Sequence, residues 1–128
     1  MTLKLTPFSQ AFSFLDQFSH QISAQALHDL LQLKRDNVLL IDVRSQPEYD
    51  ADHLPQAILI PLNQIEQGAG IEQIRLMLKG RQLIVYCTIG KRSQKALHLL
   101  QAAGFSGLNL KGGIRAWHRS LKLTQAKG

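Results

Sequence analysis

Cysteine is almost missing from this 128-residue chain, which has Cys87 and no other. A lone thiol excludes an intramolecular disulfide framework and a zinc site of clustered thiolates. It also points to a reducing compartment, with the cytoplasm as the expected location. No apolar run approaches the roughly 20 residues that span a bilayer, and the opening segment MTLKLTPFSQAFSFLDQFSH lacks the continuous apolar stretch of a secretory signal. A soluble chain without membrane association is the expectation. Internal repeats and low-complexity segments are missing too. Acidic residues stop at Glu72: all nine lie at or before it, whereas eleven of the fifteen Lys and Arg follow it. The net charge of +6 is therefore concentrated in the second half, as a field that attracts anions or an acidic partner. Nucleic acid is not the expected partner, since no aromatic interleaving or nucleic-acid motif accompanies these charges.

What is present suits one domain: 45% apolar residues and a length with no room for a second full core. We expect an N-terminal arm over residues 1–20, a domain over 21–121 and a short tail over 122–128. The arm carries Phe8, Phe12, Phe14, Leu15 and Phe18 in an amphipathic pattern suited to lying on its own domain, the favoured placement, on a partner or on a membrane surface. Ser23 stands as a cap before AQALHDLLQLK, whose Ala26, Leu27, Leu30 and Leu31 fall on helical spacing. Short apolar runs at 38–42 (VLLID), 57–60, 82–86 (QLIVY) and 108–110 read as strands. Helices are expected from Ile71, through QKALHLLQAAG up to Gly104, and over GGIRAWHRSL. Strands that alternate with helices call for an α/β fold, a parallel sheet covered on both faces and wound right-handed.

In such sheets the ligand crevice lies beyond the carboxyl ends of the strands. Asp42 with Arg44 occupies one such end, and Cys87 with the loop Thr88, Ile89, Gly90, Lys91, Arg92 and Ser93 occupies another. A chain that leaves a strand at Cys87 and enters a helix within a few residues turns several backbone NH groups around the sulfur, forming an anion cradle. Gly90 permits the curvature and Ser93 is placed to cap the helix. Lys91, Arg92 and Lys95 crowd the positive end of that helix, an arrangement that makes sense if an anion normally sits there. The same field lowers the thiol pKa and favours the thiolate, the nucleophilic form. Sulfur transfer through a persulfide needs little more than this, and no metal or organic cofactor.

The segments LLIDVRSQPEYDADHLPQAILIPL (39–62), CTIGKRS (87–93) and LKGGIRAW (110–117), in this order, resemble the signatures of the rhodanese family. The resemblance covers residues 22–121. It implies a five-stranded parallel sheet flanked by helices, with Cys87 as the persulfide carrier and the following loop wrapped around it. Asp42 and Arg44 match positions that brace the active loop, Glu48 and His53 match a downstream acid and a turn histidine, and Trp117 matches a residue that packs the last helix. The family prefers glycine where this chain has Asp52 and Gln56. Two-domain thiosulfate:cyanide members carry a basic, thiosulfate-binding residue at the Glu48 position, which implies that thiosulfate is a poor donor here. The expected donors are then a small sulfur-containing anion such as polysulfide, or a persulfide-bearing desulfurase, and an acidic protein is a fitting acceptor.

Two other functions share this fold. Phosphatases and arsenate reductases of similar architecture have a loop one residue longer, sized for a tetrahedral oxyanion, whereas only four residues separate Cys87 from Arg92 here. A non-catalytic interaction or redox-sensing module is the main alternative. It would need a resolving thiol from another molecule.

Overall fold

A computed structural model of the chain describes residues 20–127, with side chains up to Lys122. The proposed arm at 1–20 therefore falls, His20 apart, outside the described residues. The elements in order are β1 (Gln21–Ile22), α1 (Ala24–Lys34), a 3₁₀ turn (Arg35–Asn37), β2 (Val38–Asp42), α2 (Gln46–Ala51), β3 (Ile58–Leu59), α3 (Leu62–Glu66), α4 (Ala69–Leu78), β4 (Gln82–Tyr86), α5 (Lys91–Ala102), β5 (Gly107–Leu110) and α6 (Gly113–Lys127). All strands pair in parallel, in the order β1-β5-β4-β2-β3. Among the described residues no helix is long and apolar enough to cross a membrane.

Strand alternation splits the interior into two apolar layers. Val38, Leu40, Ile84 and Tyr86 join Leu27, Leu31, Ile114 and Trp117 on the face covered by α1 and α6. Leu39, Ile41, Leu83, Val85 and Cys87 join Ile65, Ile74, Ala96, Leu97 and Leu100 on the face covered by α3, α4 and α5. Burial on both faces explains why the β2 and β4 sequences read as unbroken apolar runs. Trp117 does pack the last helix, with its ring 5.6 Å from that of His28 on α1.

Boundaries differ from the sequence reading in ways that have physical causes. The last helix continues to Lys127 instead of giving way to a tail, since neither Gly nor Pro interrupts residues 121–127. Helix α2 was not expected, yet Ser45 and Glu48 form a reciprocal capping box, with Pro47 in the first turn. The glycine-preferring turn also resolves cleanly. Asp52 is extended (φ −173), a conformation open to any residue, whereas Gln56 is left-handed (φ 58). The Gln56 side chain offsets that strain by donating to the carbonyls of Arg35 and Val38.

Gly112 and Gly113 begin α6 at the place where it meets the chain after β4. The Ile114 amide donates to the Cys87 carbonyl (2.9 Å) and the Arg115 amide to the Thr88 carbonyl (3.2 Å). These first-turn amides have no partner within their own helix, so the loop after β4 satisfies them while they fix its path. Gly113 is left-handed (φ 62), and a Cβ there would run into the backbone carbonyls of Thr88 and Cys87. Gly113→Ala should therefore lower stability by about 3 kcal/mol or more in urea unfolding. A loss below about 1 kcal/mol would show that α6 can retreat from the loop without consequence.

Candidate active site around Cys87

The β4 strand delivers Cys87 to its carboxyl end on the α5 face, 1% exposed. Gly90 then adopts a left-handed conformation (φ 113) and the chain turns into α5. This turn aims two amides at the sulfur, Gly90 at 3.1 Å and Ser93 at 3.4 Å from Sγ, and sets the Ser93 hydroxyl 3.3 Å from it, where either group can donate. Burial pushes the Cys87 thiol up. The hydrogen bonds of the Ser93 hydroxyl and of the Ser93, Gly90 and Arg92 amides outweigh that effect and hold the thiol below its ordinary value. Ser93 is not the helix cap expected from the sequence. Gly90 occupies that position, and Ser93 lies in the first turn with its side chain buried against the sulfur.

Two of the three basic residues at the start of α5, Arg92 and Lys95, have protein carboxylates as partners, so an anion at the helix start is not needed to account for their placement. Arg92 holds Glu48 in a two-pronged ion pair, Nη1 to Oε1 at 2.8 Å and Nη2 to Oε2 at 2.9 Å. Lys95 pairs with Glu66 at 2.8 Å. Sequence alone places these carboxylates on other elements, and only the fold brings them to α5. Thr88 closes the ring: its hydroxyl donates to Glu48 (3.3 Å) and accepts from Arg92 (3.1 Å). Lys91 is exposed, and Ile89, 52% exposed, forms the apolar crown of the loop.

Asp42 and Arg44 form a buried pair at the end of the neighbouring strand, with Arg44 Nη2 2.8 Å from Asp42 Oδ2. The β2–β4 register sets Asp42 beside Tyr86, and the Tyr86 hydroxyl donates to Asp42 (2.7 Å) while it accepts from the Leu54 amide (3.1 Å). Arg44 also donates to the Asp52 carbonyl at 2.6 Å. Burial, reinforced by Asp42, pushes the Tyr86 hydroxyl far above its ordinary range, so it stays a neutral donor. The pair thus ties together the backbone beneath the site, while Glu48 makes the direct contacts to the loop. His53 stacks on Tyr49 with ring centroids 3.8 Å apart, and its Nδ1 lies 2.8 Å from the Tyr49 carbonyl oxygen.

The sequence places Glu48 at a thiosulfate-binding position but does not pair it with Arg92, although the Ser-x-x-Glu spacing from Ser45 signals the helix start that aims it. Asn109 on β5 is not legible as a site residue. Its Oδ1 accepts from the Ser93 hydroxyl at 2.6 Å, and a lone amide in an otherwise apolar strand was the available signal. Among the described residues every buried side-chain nitrogen or oxygen has a partner.

Arg92 holds the Glu48 carboxyl well below the usual carboxylate range, burial opposes this, and the Ser45 amide and hydroxyl add to the lowering. The folded value thus lies below the unfolded one of about 4.3, so the stabilisation is present above that pH and is lost as pH falls through the folded value. Glu48 and Arg92 are 35% and 41% exposed, which limits the pair to under about 1 kcal/mol. Glu48→Gln should accordingly lose less than about 1 kcal/mol at pH 7 in urea unfolding, and the gap should narrow on acidification below about pH 4. A gap that persists unchanged in acid would assign the loss to the helix cap instead of the charge.

The sequence model of the rhodanese-like domain matches residues 23–120. A probable adenylyltransferase/sulfurtransferase of Mycobacterium tuberculosis, MoeZ, is 37% identical over 102 residues, covering 79% of this chain and 25% of that protein. An uncharacterized 16.5 kDa protein of Synechococcus elongatus is 37% identical over 70 residues, covering 55% of this chain and 47% of its own length. The chain thus spans less than half the length of either relative. The crystal structure of a rhodanese-like domain protein from Staphylococcus aureus is 30% identical, with a TM-score of 0.64 over 76% of this chain and 89% of that one. The family match starts at the cap of α1, ends inside α6 and takes in the whole Cys87 loop: the chain belongs to the rhodanese-like domain family.

Proposed function

We propose that the chain is a sulfurtransferase that carries sulfane sulfur as a persulfide on Cys87. The observation that supports this most is the ring of the Gly90 and Ser93 amides and the Ser93 hydroxyl around Cys87 Sγ, which would stabilise a thiolate before loading and the terminal sulfur anion after it. In the loading step the Cys87 thiolate attacks the outer sulfur of a donor. The donor's sulfur–sulfur bond breaks, its electron pair leaves with the desulfurase thiolate, the polysulfide shortened by one sulfur, or sulfite, and a Cys87–S–S⁻ persulfide forms. In the unloading step an acceptor nucleophile bonds to that outer sulfur, and Cys87 departs as the thiolate. Both steps balance without an external oxidant, metal or organic cofactor.

Two features bear on the partners. The Arg92 guanidinium is already occupied by Glu48, which disfavours thiosulfate as donor relative to polysulfide or a desulfurase persulfide. The exposed Lys91 on the loop, with Lys111 and Arg115 beside the α6 start that clasps it, suits an acidic acceptor protein. The cytoplasm, where free thiols persist, is the fitting location.

The protein should be incubated in parallel with thiosulfate, polysulfide and a cysteine desulfurase with cysteine. Polysulfide or the desulfurase should add about 32 Da to Cys87 in a form that thiols release, at least about tenfold faster than thiosulfate, and Cys87→Ser should gain nothing. If no donor loads Cys87 although it alkylates readily at neutral pH, the interaction or redox-sensing module becomes the better account.

A further inference from the structure

Asn109 stands two rungs below Cys87 on the sulfur-facing side of the sheet, paired in register with Val85 and 4% exposed. Its Oδ1 accepts from the Ser93 hydroxyl at 2.6 Å, and its Nδ2 donates to the Gly90 carbonyl at 3.4 Å. Ser93 and Gly90 supply the two amides and the hydroxyl that lie 3.1–3.4 Å from the sulfur. One carboxamide from the next strand therefore holds two residues that touch Sγ, Ser93 and Gly90.

The hydrogen-bond inventory makes this more than scaffolding. The Ser93 hydroxyl has one proton and three acceptors in reach: Asn109 Oδ1 at 2.6 Å, the Gly90 carbonyl at 3.2 Å and Cys87 Sγ at 3.3 Å. With Cys87 as a thiol, S–H donates to Ser93 and Ser93 donates to Asn109, so all three groups are paired. A thiolate has no proton to give and needs the Ser93 proton for itself. If it takes that proton, the buried Asn109 Oδ1 loses its donor, which is costly.

We infer that Asn109 is a positioning residue that competes with Cys87 for the Ser93 proton and so limits how completely the sulfur is held as a thiolate. The benefit of such a limit rests on the sulfur-transfer reading above: a thiolate stabilised too far is a weaker nucleophile, and attack is fastest when the thiol pKa lies near the ambient pH. The charged group facing the sulfur is Arg92 on α5, which meets Glu48 from α2 and feels Arg44 beyond β2. From α6 the Ile114 and Arg115 amides bind the carbonyls of Cys87 and Thr88. The hydrogen bonds of the Asn109 side chain go to Ser93 and Gly90 and not to these groups.

The test is the pH profile of iodoacetamide alkylation at Cys87, read by mass, for Asn109→Leu and Asn109→Val. Both should lower the midpoint by about half a unit to one unit, which is about three- to tenfold more thiolate on the acid side. Ser93→Ala should raise the midpoint, and Ser93→Ala combined with Asn109→Leu should coincide with Ser93→Ala, because no proton is left to compete for. An unchanged or raised midpoint in the folded Asn109 variants overturns the inference, as does a double variant that departs from Ser93→Ala. Alkylation does not require sulfur transfer. A parent protein that never loads sulfur while its Asn109 variants shift leaves this inference standing and removes the transferase reading, and a loaded parent with unshifted variants does the reverse.

Discussion

The amides that face the Cys87 sulfur can do so because the carbonyls of the same loop are satisfied from the opposite side. A peptide group that turns its NH inward turns its C=O outward, and a buried carbonyl without a donor would cost as much as the inward bond gains. The first turn of α6 removes that conflict: its Ile114 and Arg115 amides have no partner inside the helix and take the carbonyls of Cys87 and Thr88. The paired glycines at 112 and 113 follow from this demand. Gly113 carries no side chain because the loop backbone fills the space where a Cβ would be. Two chain segments separated by more than twenty residues thus depend on a single exchange of backbone hydrogen bonds.

Around that clasp the polar groups divide into two layers. Beneath the site, Asp42, Arg44, Tyr86 and the Leu54 amide form a closed network that ties β2 to β4 and to the turn before β3. The alternation of β4 points Tyr86 toward α1 and α6 and Cys87 toward α5, so the network supports the sulfur from behind without touching it. Above, Glu48, Arg92 and Thr88 form a second ring at the rim. Half-exposed, this ring contributes little to global stability, yet it fixes the orientation of the Arg92 guanidinium.

Legibility differed from residue to residue for identifiable reasons. The β2 and β4 strands were readable because burial on both faces writes itself into an unbroken apolar run. The loop after Cys87 was readable because Gly90 and its basic neighbours sit in consecutive positions. Helix α2 escaped notice because six residues are too few for periodicity, although its capping box was written in the chain. Local sequence suits Ser93 to a helix cap, but the left-handed Gly90 starts the helix one turn earlier and leaves the Ser93 hydroxyl beside the sulfur. The charges on Arg92 and Lys95 read as a call for a bound anion, since their partners Glu48 and Glu66 belong to other elements.

By itself the sequence determined the α/β alternation, the position of the nucleophile at a strand end and the resemblance that places the chain among rhodanese-like domains. Each of these depends on residues close together in the chain, where spacing maps directly onto geometry. The tertiary structure alone decided which acid meets Arg92, which helix closes over the loop and which strand supplies Asn109 to Ser93. Those pairings join residues 16 to 44 positions apart, and nothing local in the chain encodes them. They follow from the order β1-β5-β4-β2-β3, which sets β5 on one side of Cys87 and the β2 end with its Glu48 on the other.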